Sequence, residues 1–283
     1  MTRRLAGLGG LALITLLGLA GCDDATSPHV HTGEATISFD NVIDGAAVHL
    51  DHLVYSNPRG TVYEITMLRY AVSDIVLHGT DGRTFGMDGI HYRDEGKPAT
   101  RNVTLEEVPN GSYDMVSFTF GLDETKNVKD AYLNHPNDFH SDMAWPSAMG
   151  GDKGIGYHYM RLEGNFEETP QGAKTGYATH TGARWLSTDP LPYHHFFRVY
   201  VPFAAKTIEG DHLEVSIQMD VDGWYRDHTP SPGDDYDSDY DWHDLDGEPM
   251  GQMIMSNLEA QQKLMLNGPH CFAADAEVHD HDH

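Results

Sequence analysis

The stretch that decides the fold is residues 61–82, TVYEITMLRYAVSDIVLHGTDG. It is long, and its density of β-branched and aromatic side chains is typical of a strand. The closing Thr80-Asp81-Gly82 favours a hairpin, because aspartate and glycine suit the backbone of tight turns. The sequence therefore predicts a long strand that ends in a tight turn.

Shorter segments of the same character lie on both sides of it. They are 34–45, 46–55, 101–108, 112–122, 156–166, 194–203 and 212–221. Glycine, proline, asparagine or aspartate separates nearly all of them. One convincing helix, 248–268, has apolar residues at roughly helical spacing, and Gly268 suits its C-cap. The pattern predicts an all-β fold: an antiparallel β-sandwich with long loops and one C-terminal helix.

The N-terminus, MTRRLAGLGGLALITLLGLAGCDD, has the organisation of a secretory signal. Two arginines precede an apolar run at 5–19 that is too short and too glycine-rich for a comfortable membrane span. The Leu-Ala-Gly-Cys ending at Cys22 has the form of a bacterial lipobox. We therefore expect a lipoprotein signal peptide over 1–21 and acylation of Cys22, which would anchor the chain firmly. An ordinary signal peptide with a chance cysteine is the alternative.

This organisation divides the remaining chain into three parts. A flexible tether is expected over 22–33, one sandwich domain over 34–273 and a His/Asp-rich tail over 274–283. The expected location is the bacterial cell envelope, facing the periplasm and held to the lipid bilayer through Cys22. Whether the inner or the outer membrane receives the lipid stays open.

Composition excludes some partners and favours others. The formal charge is −26 and the pI is about 4.8, so no basic stripe is present for nucleic acid. The chain has 19 histidines and 12 methionines. Imidazole and thioether suit copper, and imidazole also suits zinc. Acylation of Cys22 would leave Cys271 unpaired, and we expect it to be a buried small apolar residue rather than a thiol ligand or reactive group.

Two polar segments raise further metal hypotheses. Residues 226–247 carry closely spaced aspartates, but the glycine and glutamate that an EF-hand requires are not in place. A solvated loop is favoured there, with weak calcium binding as the alternative. The C-terminal VHDHDH offers His279, His281 and His283, either as a flexible ligand set for Cu(II), Ni(II) or Zn(II) or as a merely solvated tract.

Enzyme motifs are absent from the sequence. We find no GxSxG, HExxH, Walker loop, GxGxxG or CxxCH. We therefore expect a protein that is not an enzyme, with a metal hydrolase that uses the acidic loop as the weaker alternative. His49 and His52 are three apart, which puts them on opposite faces of a strand unless a bulge intervenes.

Residues 139–164, FHSDMAWPSAMGGDKGIGYHYMRLEG, combine an indole with metal ligands around a glycine turn. His140, Met143, Met149 and His158 surround Trp145 in the sequence. A Cu(I) ion accepts two or three soft or imidazole ligands. The stretch therefore indicates a metal site beside Trp145, and an indole packed at the rim of the sandwich is the alternative.

Five fragments, in order, resemble the MbnP-like family of periplasmic proteins associated with the methanobactin copper system. They are TISFDNVIDG (36–45), VYSNPRGTVYEITMLRYAVSDIVLHGTDG (54–82), VPNGSYDMVSFTFGLDETKN (108–127), MAWPSAMGGDKGIGYHYMRLEG (143–164) and MIMSNLEAQQKLMLNG (253–268). No single fragment is specific, but five in order are hard to obtain by chance. The resemblance covers most of the mature chain.

The resemblance implies a copper site. Family members studied as copper proteins hold Cu(I) with two histidines near a tryptophan that a dihaem peroxidase-like partner oxidises to kynurenine. Trp145 is the position implied for that modification. The family's histidine two residues further on is Ser147 in this chain, a departure from the family pattern. The substitutes considered are His140, Met143, His158, His180, His194 and His195.

Two functions follow as hypotheses. The first is a membrane-anchored copper-binding lipoprotein for storage, sensing or delivery, which is not itself catalytic. The second is a structural or adhesion sandwich of the envelope that has kept the family fold and lost its metal, since a site can disappear while its fold remains.

Overall fold

The structure of the chain is a computed structural model. It describes residues 31–52, 55–56, 62–146, 155–167, 171–183, 194–225 and 268–279. Several predictions fall outside these ranges: the signal peptide and Cys22, the 226–247 loop, the helix at 248–268 except its last residue, Ser147, Met149, His281 and His283. Within the described ranges, no helix is long and apolar enough to cross a membrane.

Strands dominate the described residues. They are β1 Thr32–Ile43, β2 Ala46–Ala47, β3 Tyr55–Ser56, β4 Val62–Gly79, β5 Thr84–Asp94, β6 Asn102–Pro109, β7 Gly111–Phe120, β8 His158–Glu167, β9 Lys174–Gly182, β10 Phe197–Ile208, β11 His212–Asp220 and β12 Phe272–His279. One short α-helix, α1, spans Phe139–Met143. Single 3-10 turns lie at Pro98–Thr100, Pro136–Asp138, Asp222–Tyr225 and Gly268–Cys271.

The strands form two sheets. The first has the order β12-β11-β1-β2, with β6 also paired to β1. The second has the order β10-β7-β4-β8-β9, and β3 and β5 also pair with β4. Nearly all pairs are antiparallel, and β1 with β11 is a parallel pair within the first sheet. The predicted all-β sandwich is confirmed.

Strand β4 is the central strand of the second sheet. Two register shifts break its alternation of buried and exposed side chains. The shifts fall between Ile65 and Met67 and between Ser73 and Ile75. The buried core positions accordingly run 63, 65, then 68, 70, 72, then 75, 77. An extra residue in one strand of a pair inverts the face of everything beyond it. Each shift therefore lets β4 keep burying apolar side chains while pairing with several neighbours.

Two apolar clusters lie on opposite faces of the second sheet. The larger takes residues from both sheets and fills the sandwich, and Cys271 is buried in it as expected. The smaller one, which we call the outer cluster, comprises Ala71, Tyr92, Leu122, Phe139, Met143, Trp145, Ile155, Tyr157, Tyr159 and Ala183. Ala71 lies between Tyr70 and Val72 of the larger cluster, so the outer cluster covers the other face.

The structure differs from the predicted elements in several places. Strands β5, β9 and β12 were not predicted. The predicted strand 46–55 is interrupted, because Asp51 adopts a left-handed φ of 62° and its N–H bonds to the Ile65 carbonyl. Strand β1 begins inside the expected tether, and β12 takes residues 274–279 from the expected tail, where they pair with β11.

Candidate functional site

Trp145 is placed by a short antiparallel contact that follows helix α1. The Trp145 N–H donates to the Gly156 carbonyl at 3.0 Å, and Ala144 bridges Tyr157. The side chain belongs to the outer cluster and is only 5% exposed. Trp145 is therefore folded inward against the outer cluster.

Gly182 makes room for the indole on strand β9. A Cβ built on Gly182 would lie 3.1 Å from Trp145 Cζ2 and 3.1 Å from the Tyr157 carbonyl oxygen. Real Cβ atoms rarely approach that closely, so any larger residue would push the indole or the β8 backbone away. The absence of a side chain is what lets the indole lie against the sheet here.

His158 and His180 reach the same face because β8 carries a bulge. His158 pairs with Gly182 and Met160 with Thr181, so two steps along β8 match one along β9. Directly paired residues share a face, and so do residues two apart on one strand. His158, Gly182 and His180 therefore all face the outer cluster.

The three rings meet. The His158 and Trp145 ring centroids are 3.4 Å apart, those of His158 and His180 are 4.9 Å apart at 89°, and those of Trp145 and His180 are 6.5 Å apart. We call Trp145, His158 and His180 the indole site. Two of the six candidate ligands are thus brought to the candidate tryptophan.

Hydrogen bonds fix the orientation of His158. Its Nδ1 lies 2.9 Å from the Met143 carbonyl oxygen. Because a carbonyl only accepts, Nδ1 carries the hydrogen and Nε2 carries the lone pair. Burial lowers the pKa of His158 well below its usual value, and the neighbouring His180 lowers it further. The ring is therefore a neutral imidazole at neutral pH.

His180 is oriented by a carboxylate. Its Nε2 lies 2.8 Å from Glu163 Oε1, which also accepts from Arg161 Nη2 at 2.7 Å. The hydrogen bond from His180, with those from Arg161, lowers the pKa of Glu163 to about 2. With Nε2–H donating to an ionised carboxylate, Nδ1 keeps the lone pair. Metal-binding histidines commonly donate their second nitrogen to a carboxylate or carbonyl in this way.

An ion-pair network holds helix α1 against the sheet beneath it. The Asp142 carboxylate contacts Arg69 Nη1 at 3.2 Å, Lys97 Nζ at 2.9 Å and the Tyr92 hydroxyl at 2.9 Å. Arg161 Nη1 also donates to the Asp142 carbonyl at 2.7 Å. These contacts fix the residue just before Met143, whose carbonyl orients His158.

The other candidate residues lie elsewhere or contribute differently. His140 Nδ1 lies 2.9 Å from the Tyr157 hydroxyl, and His194 Nδ1 lies 3.3 Å from the Tyr159 hydroxyl. Among the ring contacts of the described residues, Trp145 has His158 and His180 as partners, and His140, His194 and His195 are not among them. Met143 offers its carbonyl to His158 while its side chain is buried in the outer cluster.

The donor set fits a low-coordinate soft ion. Two imidazoles, each oriented through one ring nitrogen, are ligands that Cu(I) accepts. Among the described residues, the buried Trp145 Nε1 has no hydrogen-bond partner. Within the ranges that the structure describes, no group of three or more His, Cys, Asp or Glu is arranged to hold a metal.

Glu163 and Gly182 contribute to the indole site but were not among the residues predicted from the sequence. Glu163 lies in the LEG fragment that carried the family resemblance, and it alternates with Arg161 on one face of a predicted strand. That alternation was the available signal. Nothing in the sequence marks Gly182 as the position against which the indole packs.

Fold and site together define a class: a β-sandwich that carries, outside its core, an indole in contact with two oriented imidazoles. Comparison with known families assigns the chain further. The family model MbnP matches residues 32–239, so the chain belongs to the MbnP family. The predicted resemblance is confirmed, and the family's periplasmic character agrees with the expected envelope location.

A solved structure supports the same fold. MbnP from Methylosinus trichosporium matches with a TM-score of 0.50 and 15% sequence identity, over 87% of this chain and 99% of that one. At this identity the similarity concerns the fold alone. A comparison with curated protein sequences finds no match.

Proposed function

We propose that the chain is a periplasmic Cu(I)-binding lipoprotein that holds its metal at the indole site, through His158 and His180. It serves copper storage, sensing or delivery rather than catalysis. The observation that carries the proposal is the pair of oriented imidazoles, 4.9 Å apart, in contact with one buried indole. Family membership supplies the link to methanobactin-associated copper proteins.

The lone pairs argue for copper in particular. His158 Nε2 and His180 Nδ1 are the nitrogens left available by the hydrogen bonds to Met143 and Glu163. Structural zinc takes four ligands, whereas Cu(I) accepts two or three. Bound Cu(I) would supply a soft, redox-active centre. The chain's own residues supply two imidazole nitrogens, a largely buried setting and an ionised carboxylate behind one ring.

We propose that a dihaem peroxidase-like partner converts Trp145 to kynurenine with peroxide as the oxidant. Oxidative cleavage of the indole C2–C3 bond places an oxygen on each carbon, and hydrolysis then releases C2 as formate. The proposal rests on the position of Trp145 at the two histidines and on the family relationship. Conversion removes one carbon and adds one oxygen, a mass gain of about 4 Da that intact-mass measurement and a peptide map across Trp145 would detect.

Anchoring completes the proposal. Acylation of Cys22 would hold the sandwich at a membrane surface on the tether that precedes β1, where it would meet copper and partner proteins in the periplasm. Metabolic labelling with a fatty-acid analogue tests this part separately, and Cys22→Ala should abolish the label. Label retained in that variant would overturn the proposed acylation of Cys22 but would leave the copper proposal unaffected.

The decisive test is anaerobic Cu(I) titration against a chromophoric competitor. The variants are His180→Ala and, as the matched control, His194→Ala, a half-buried histidine that contacts Tyr159 rather than the indole. Loss of a ligand should weaken Cu(I) binding at least as much as loss of a second-sphere group, about 10- to 100-fold. His194→Ala should leave the affinity unchanged.

The same experiment decides against the alternative. A structural envelope sandwich without a metal site would bind Cu(I) no better than its exposed histidines allow. His180→Ala would then alter the unfolding midpoint without altering copper uptake. Equal affinities for the wild type, His180→Ala and His194→Ala would overturn the copper proposal.

A further inference from the structure

A second group of histidines lies on the first sheet, whereas the indole site lies on strands of the second sheet. His212 on β11 pairs directly with His279 on β12, and Glu214 pairs directly with Glu277. On the other side of β11, Glu34 of β1 pairs with His212. We call these five residues the β11–β12 histidine face.

All five side chains share one surface. Positions 212 and 214, like 277 and 279, are two apart on their strands and so point the same way. The residues between them, Leu213 and Val278, pack in the sandwich core instead. Directly opposed side chains on an antiparallel pair have Cβ atoms only about 5 Å apart, which suits chelation by two imidazoles.

The interatomic distances show how densely these groups are placed. His279 Nε2 lies 3.5 Å from Glu214 and 3.8 Å from Glu277. His212 lies 3.7 Å from Glu34 through Nδ1 and 3.9 Å from Glu214 through Nε2. Three carboxylates thus surround two imidazoles in a chain of net charge −26.

The negative charge of the face is only partly offset, because Arg101, which pairs with Asp40, also interacts electrostatically with Glu214. Glu214 and Glu277 are like charges directly opposite one another, an arrangement that destabilises a strand pair. A bound cation would remove that repulsion and join β12, the edge strand, to β11. Mixed imidazole and carboxylate donors suit zinc, nickel and Cu(II) rather than the oxygen-only preference of calcium or magnesium.

We propose that the β11–β12 histidine face is a surface site for a borderline divalent metal of the zinc, nickel or Cu(II) class, separate from the indole site. In the described part of the chain these donors are not already gathered as a metal would hold them. Binding therefore requires rotamer changes. Glu214, Glu277 and His279 are 58%, 74% and 51% exposed, so they change rotamer freely.

The experiment isolates this face from the other histidines. The background is the full chain with His180→Ala, which disables the indole site, and with residues 280–283 deleted, which removes His281 and His283. Zn²⁺ and Ni²⁺ binding is measured by calorimetry, together with amide exchange of β12. The test variant is His212→Ala, and the matched control is His49→Ala, another exposed histidine far along the chain.

The background protein should bind one Zn²⁺ or Ni²⁺, and the metal should slow amide exchange in β12. His212→Ala should weaken binding at least 10-fold, in line with the cost of disturbing a metal site, and abolish the added protection. His49→Ala should change neither. Absence of binding in the background, or equal binding by His212→Ala, would overturn the proposal. Neither outcome bears on Cu(I) at the indole site.

Discussion

The two cross-strand histidine pairs of this molecule use the same side chain in opposite surroundings. His158 and His180 lie over the outer cluster, and one ring donates to a carbonyl and the other to a carboxylate. His212 and His279 lie on an open sheet face among glutamates. In the first pair burial and hydrogen bonds decide which nitrogen carries the lone pair. In the second, His279 is half exposed and both rings lie beside glutamate carboxylates.

The two histidine pairs indicate how the surroundings of an imidazole determine which metal it favours. A largely enclosed pair of imidazoles favours a monovalent soft ion, because no carboxylate has to be brought into the site. An exposed pair flanked by carboxylates favours a divalent ion, which their negative charge attracts. The acidic neighbours of the second pair are visible in the sequence, whereas the burial of His158 arises from the fold.

The largest expected effect comes from filling the space under the indole. Gly182→Val should destabilise the fold by about 1–3 kcal/mol, as overpacking typically does, because its side chain would meet Trp145, Tyr157 and His158. Urea denaturation followed by tryptophan fluorescence measures this. Gly176→Val on the same strand is the control, because the nearest atoms to its Cβ are 3.7 Å and 3.9 Å away. Equal losses in both variants would contradict the proposed packing.

Removing the carboxylate behind His180 should come next. Glu163→Gln keeps the shape but loses the charge that orients Nε2–H, and second-sphere losses typically cost about 10- to 100-fold in metal affinity. Cu(I) competition titration measures the change. Glu167→Gln, further along β8 and bonded to the Gln171 N–H, should leave the affinity unaltered. An unchanged Cu(I) affinity in Glu163→Gln would show that orientation of His180 by the Glu163 carboxylate does not contribute to copper binding.

Buried His158 should also make the metal-free fold sensitive to acid. The pKa of His158 is lowered on folding, so below its ordinary value near 6.5 the unfolded chain binds more protons than the folded chain. Its contribution is thus complete above about pH 6.5 and is lost as pH falls, by at most about 1.4 kcal/mol per pH unit. His158→Gln should flatten the pH dependence of the unfolding free energy between pH 6.5 and 5. An equal slope in both proteins would contradict the neutral, buried ring.

The smallest effect should come from the exposed pair. Glu277→Gln removes a like-charge contact with Glu214 and should stabilise the metal-free protein by about 0.2–1 kcal/mol. The same change should lower the stabilisation that Zn²⁺ provides. Thermal unfolding with and without Zn²⁺ separates the two effects. Destabilisation of the metal-free protein by Glu277→Gln would show that no repulsion exists there.

The fold was predictable where apolar and β-branched residues are dense. Strand β4 lies almost where 61–82 placed it. Strands β5, β9 and β12 were missed because their sequences, TFGMDGIHYRD, KTGYATHTG and FAADAEVH, are rich in glycine, alanine and polar residues. Their strand structure comes from pairing with β4, β8 and β11, and such tertiary pairing leaves little trace in local propensity.

The site was predictable in its residue types and only partly in its members. Trp145, His158 and His180 were all among the candidates, together with His140, His194 and His195, and spacing alone did not separate them. The bulge between His158 and Met160 sets which side chains face the indole. A shift of one residue reverses every later side chain, so this selection required the register.

X-ray absorption at the copper edge of the Cu(I)-loaded protein, compared with His180→Ala, tests the proposed copper site. The wild type should show a low-coordinate copper with imidazole scattering, and the variant should lose an imidazole shell. A first shell dominated by sulfur, or a spectrum that His180→Ala leaves unchanged, would contradict it.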